Sequence, residues 1–245
     1  EYQPRDETEP AEQPPPPTDW RHSLRLTDGK ITKDSGNLVL LLANLPEWAG
    51  CLTFDAFAQR MLWHRPPPDM PGMPRPLPDT PVRDTDYLYV QHWFSKYRQV
   101  RFSDTGTMQA MRTAAEHHGF HPVRQYLEAL TWDQVERVPA WLSTYLGVAS
   151  STYAWTVGRL WLLSAVKRIL QPGCQADHLL ILEGPQGAGK SQAIRLLAGD
   201  WYLGTLPDLR SKDAAHAVAG HWIVEIGELD AFKGSAGTRV KDWVT

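Results

Sequence analysis

Leu38, Leu41, Leu42 and Leu45 recur at i, i+3, i+4 and i+7 just after Asp34 and Ser35, which predicts a helix with one apolar face and a side-chain cap at its start. The apolar positions over 54–62 are read as a second helix, and the proline-dense stretch 66–81 as an extended loop. Val90, Trp93, Phe94 and Tyr97 mark another helical face. Further helices are expected over 107–117, over 123–130 with Pro122 in its first turn, and over 139–146. The strongest pattern covers 151–170, with Ser150 or Ser151 as cap, Lys167 and Arg168 set against the C-terminal dipole, and Pro172-Gly173 as the stop.

After that helix the period changes. Residues 179–182 are a short, fully apolar run bounded by glycine, as expected of a buried parallel strand. Residues 191–197 return to helical spacing, with Ile194 and Leu197 on one face. Trp222, Ile223, Val224 and Ile226 predict a second strand that Glu225 interrupts. Three regions follow: an acidic, proline-rich tail or linker over 1–18 that buries too little apolar surface to fold, a mainly helical domain over 19–146, and an α/β core over 147–245. The abrupt start at Glu1 suggests that the tail continues upstream into a longer protein.

With 245 residues and 42% hydrophobic content, the chain can build a real core. Its longest apolar stretches fall far short of the roughly 20 residues that a membrane helix needs, and no secretory leader opens it. A soluble, cytoplasmic protein without membrane contact is expected. Cys51 and Cys174 lie far apart without a CxxC pair, so they read as free buried thiols. A net charge of −3 argues against a broad duplex-coating basic surface, though not against a narrow channel that grips one strand with a few basic or aromatic groups. The 11 Trp residues read first as core.

The loop between the predicted strand and helix carries the chemistry. Gly184, Gly189, Lys190 and Ser191 fit G-x-x-x-x-G-K-[ST], the spacing of a phosphate cradle. Average composition produces this pattern by chance in about one chain of this length per hundred, and strand–loop–helix context lowers that further. The nucleotide-binding segment is therefore Gly184, Pro185, Gln186, Gly187, Ala188, Gly189, Lys190, Ser191 and Gln192. Glycine admits positive φ and clears space for phosphate. Lys190 places a charge near the β/γ-phosphates, the Ser191 hydroxyl can ligate Mg²⁺, and the helix N-terminus points at the same anion.

Such a loop needs an acidic strand end to hold Mg²⁺ and polarise the attacking water. The segment HWIVEIGELD, 221–230, supplies Glu228 as general base or water-orienting residue and Glu225 as a secondary acid, both also candidate Mg²⁺ ligands. Each could instead be a solvent-facing carboxylate on an edge strand. His117, His118 and His121 invite a metal reading, but adjacent imidazoles point to different sides of a helix and no carboxylate or cysteine completes a set. His121-Pro122 reads better as a helix entry.

HPVRQYLEALTWD at 121–133, RILQPGC, LLILEGPQGAGKS and SKDAAHAVAGHWIVEIGELDAF at 211–232, in that order, resemble the virulence-associated protein E family, P-loop ATPases of phages, plasmids and pathogenicity islands that are similar to superfamily 3 replicative helicases. The resemblance implies an AAA+-like core with a parallel sheet, ATP and Mg²⁺ as cofactors, single-stranded or forked DNA as partner, assembly into a ring, expected to be a hexamer, and often an upstream primase. It carries Gly184, Gly187, Gly189, Lys190 and Ser191 over as the nucleotide loop and Glu225 and Glu228 as the acidic strand. Lys212 and Asp213 fall in a matched segment without a derivable role. Gln134 stands where the family tends to have Gly, and the chain ends at Thr245 before the segment expected to hold the trans-acting arginine. The leading expectation is a DNA helicase or translocase of a mobile element. The competing ones are a nucleotide-gated DNA- or partner-binding module and a small-molecule kinase; the latter lacks an arginine-rich lid, and no N-K-x-D motif favours a GTPase.

Overall fold

The computed structural model describes residues 19–176, 178–204 and 217–226. In chain order these form β1 (Leu26–Thr27), β2 (Lys30–Ile31), α1 (Ser35–Asn44), β3 (Leu52–Asp55), β4 (Arg60–Trp63), β5 (Thr80–Pro81), α2 (Tyr87–Arg98), α3 (Asp104–Glu116), β6 (Gly119–Phe120), α4 (Pro122–Ala129), α5 (Trp141–Leu146), α6 (Thr152–Leu170), α7 (Lys190–Ala198), β7 (Tyr202–Leu203) and β8 (Ile223–Val224). The protein is mixed α/β with several helices, and its short strands pair both ways. β4 lies antiparallel to β5, whereas β3 runs parallel to β6 and β7 parallel to β8. By residue contacts the chain divides into two units, one from 1–53 with 62–118 and one from 54–61 with 119–245.

In the first unit α1 and α3 both start on side-chain caps, the one at Asp34 as expected and the one at Ser103 found in the structure. Asp34 accepts from Asn37 N at 2.9 Å to start α1, and Ser103 accepts from Gly106 N at 3.2 Å to start α3. The leucines of α1 pack against α3, and Trp48, Trp93 and Phe94 form an aromatic cluster in which Trp48 meets Trp93 edge-on at 5.4 Å and stacks on Phe94 at 5.6 Å. A buried carboxylate, Asp86, is neutralised by position: it accepts from Trp63 Nε1 at 2.9 Å and forms an ion pair with Arg83 at 2.9 Å. Cys51 is a buried free thiol whose titration burial pushes upward, whereas Cys174 is only half-buried. Of the tryptophans, Trp132 and Trp155 are exposed rather than core.

The helix expected over 54–62 is a strand, a turn and a second strand. Asp55 Oδ1 accepts from Phe57 N at 3.0 Å and Ala58 N at 2.9 Å, a side-chain bond that fixes a turn, and Gln59 adopts φ +52°. Leu52, Thr53 and Phe54 suit the extended backbone before it. The turn chemistry of one aspartate outweighed an apolar spacing that fits both periods.

The second unit holds the remaining helices around a core of Trp141, Leu142, Ile194, Ala198 and Ile223, with Leu180, Leu182, Trp161 and Tyr202 packed on it. His121 Nδ1 accepts from Arg124 N at 3.2 Å, so this histidine is the cap of α4, and burial lowers its pKa. Ser151 caps α6 by accepting from Ala154 N at 3.1 Å. The far end of α6 is covered by Arg124, whose guanidinium donates to Ile169 O and Leu170 O at 3.2 Å each. Residues 179–182 pair with no strand among the described residues. They alternate instead, with Leu180 and Leu182 half-buried on the core and Leu179 and Ile181 exposed at 45% and 55%, so the expected fully buried parallel strand is an extended segment with one packed face.

Gly158 allows α5 and α6 to approach. A Cβ there would lie 2.7 Å from Trp141 Nε1 and 2.9 Å from Leu142 Cδ1. Trp141 has little room to move, because it stacks on Trp161 at 5.7 Å. Gly158→Ala should therefore destabilise the protein by about 1–2 kcal/mol, overpacking outweighing the helical preference for alanine. Urea denaturation checks this, and a variant as stable as the parent would show that the helices have slack here.

Candidate functional site

Chain reversal into α7 is made by glycine. Gly187 and Gly189 sit at φ +78° and +79°, where an L side chain is strained, and Gly189 is the N-cap of α7 without any side-chain cap bond. Among the described residues the first-turn amides of α7 have neither an intrahelical acceptor nor a capping side chain, which makes this end a positive pole. Ile194 and Ala198 fix the helix by burial, and Ile223 of β8 belongs to the same core cluster. One apolar core thus holds loop, helix and acidic strand.

At the loop, Lys190 Nζ donates to Gly184 O at 2.9 Å and Pro185 O at 2.8 Å, so the ammonium is folded back under the glycine turn. Next to it, Ser191 Oγ donates to Glu225 Oε1 at 2.5 Å. Glu225 stands directly after β8, where its own N–H donates to Leu203 O at 2.8 Å. Its second oxygen, Oε2, accepts from the Tyr202 hydroxyl. Residues 184, 186–192 and 223–226, with the segment 179–183 and Trp161, line a cavity of about 800 Å³, within the range of small-molecule sites.

The structure therefore brings together Gly184, Pro185, Gly187, Gly189, Lys190, Ser191 and Glu225. Gln186, Ala188 and Gln192 line the same cavity. Glu228, Lys212 and Asp213 lie outside the described residues. Two groups had not been singled out from the sequence: Tyr202, and Arg195 of α7, whose guanidinium covers the Tyr202 ring at 5.3 Å. Neither sits at a fixed offset in a motif, and the bond from Tyr202 to Glu225 spans 23 positions. Burial, followed by the hydrogen bond to Glu225, pushes the Tyr202 phenol up to about 12.

The donors suit a hard cation. A hydroxyl and a carboxylate oxygen, held on separate elements and side by side, are the ligand types that bind magnesium beside a phosphate. Lys190 and the start of α7 supply positive charge on the other flank.

Residues 127–245 match the virulence-associated protein E-like domain. The chain carries a virulence-associated protein E-like domain. The matched span takes in the entire glycine loop, α7, β7, β8 and Glu225, together with the last turn of α4 and all of α5 and α6. No curated protein matches the chain. Among the described residues, no helix of this domain or of the segment before it is long and apolar enough to cross a membrane.

Proposed function

We propose that the virulence-associated protein E-like domain binds and hydrolyses ATP with Mg²⁺ in an AAA+-like P-loop core, and that turnover drives helicase or translocase work on DNA for a mobile genetic element. The observation that carries the reading is the contact of Ser191 with Glu225 at the N-terminus of α7, beside Lys190. A cradle for phosphate, a cationic group and a pair of hard oxygen ligands meet there, the parts that hold a nucleoside triphosphate and its metal for phosphoryl transfer.

In this mechanism the amides of the 184–192 segment and Lys190 bind the β- and γ-phosphates, Lys190 exchanging its loop carbonyls for phosphate oxygens. Ser191 and Glu225 would hold Mg²⁺, and the ion would supply positive charge against that developing on the phosphates. Glu228 orients and deprotonates the attacking water. Single-stranded or forked DNA and further copies of the chain, arranged as a ring, are the proposed partners.

ATP turnover with and without single-stranded DNA tests the reading. Hydrolysis that rises with DNA is the expected result. ATP binding with turnover indifferent to DNA would replace the motor by a nucleotide-gated binding module, and absence of ATP binding would remove both.

A further inference from the structure

We propose that Tyr202 is a positioning residue for Glu225: its hydroxyl holds Oε2 and so leaves Oε1 turned to Ser191. The inference rests on the reading of Ser191 and Glu225 as the magnesium-side pair. A glutamate has three side-chain torsions, and a half-buried carboxylate at the end of a strand has several orientations open to it. Two donors on different elements remove that freedom. Ser191 approaches from α7 and Tyr202 from β7, each taking one oxygen.

Tyr202 is suited to this because it is itself held. Its ring packs on the core cluster of Trp141, Ile194 and Ile223, and Arg195 covers it from α7. Gly204 leaves room for the ring, since a Cβ there would lie 3.0 Å from Tyr202 Cε1 and 3.2 Å from its hydroxyl oxygen. Arg195 sits on the same helix as Ser191, so one element places both the partner of Oε1 and the cover of the residue that holds Oε2.

The test is a Mg²⁺ titration of the complex between the whole chain and a fluorescent ATP analogue, with affinity in EDTA measured alongside. Tyr202→Phe keeps the ring and the Arg195 contact and removes only the hydroxyl. It should raise the Mg²⁺ midpoint about tenfold, as expected for one lost hydrogen bond to a charged group. Affinity in EDTA and the thermal midpoint should stay at parental values, which a merely structural role would not produce. Glu225→Gln should raise the Mg²⁺ midpoint at least as far, and adding Tyr202→Phe to it should have no further effect. An unchanged midpoint in Tyr202→Phe, with a raised one in Glu225→Gln, overturns the positioning role alone. An unchanged midpoint in Glu225→Gln overturns the reading of Glu225 as well.

Discussion

Lys190→Ala is expected to weaken ATP binding by a factor on the order of a hundred or more, since one or two charge-assisted hydrogen bonds to phosphate are lost. The fold should survive. Among the described residues the ammonium bonds only to Gly184 O and Pro185 O of its own loop, and the core beneath α7 is made by Ile194 and Ala198. Calorimetric titration with ATP, paired with thermal denaturation, separates the two effects. Unchanged ATP affinity would end the P-loop reading; lost affinity with an equal loss of stability would mean that Lys190 supports the loop rather than the ligand.

The second large effect is expected at Glu228. Glu228→Gln should leave ATP affinity near the parental value and slow hydrolysis on the order of a hundredfold or more, because an amide orients water but cannot take its proton. Single-turnover hydrolysis beside equilibrium binding is the measurement. Glu225→Gln should differ, losing the benefit of Mg²⁺ to binding as well as rate. If Glu225→Gln instead shows normal binding with the large rate loss while Glu228→Gln is near normal, the two carboxylates exchange roles.

What could be read from the sequence depended on how local the cause was. Asp34, Ser103, His121 and Ser151 act within three residues, and the helices they start fall within a few residues of where capping and spacing predict them. The loop was equally legible, since Gly187 and Gly189 must supply positive φ before a helix and Lys190 follows at a fixed offset. Errors came where two periods fit one short segment. The positions over 54–62 satisfied a helical pattern, but Asp55 closed a turn. The run 179–182 looked buried all round, yet only every second residue meets the core. Tyr202 was invisible for a different reason: its role exists only after β7 and β8 pair, and no spacing along the chain announces that.

That pairing sets the alignment of the site in whole residues. Tyr202 lies opposite Ile223 and Leu203 opposite Val224, and the bond from Glu225 N to Leu203 O continues the ladder by one step. Side chains alternate along a strand, so Tyr202, Ile223 and Glu225 share one side. A slip of one residue would send Glu225 to the opposite side from Ser191 rather than displacing it slightly. Backbone register admits no fractional error: Glu225 is either in step with the loop or on the wrong side of the strand, so substitutions that loosen the ladder change how many molecules are correctly assembled, whereas the fine orientation of the carboxylate is left to its side-chain partners.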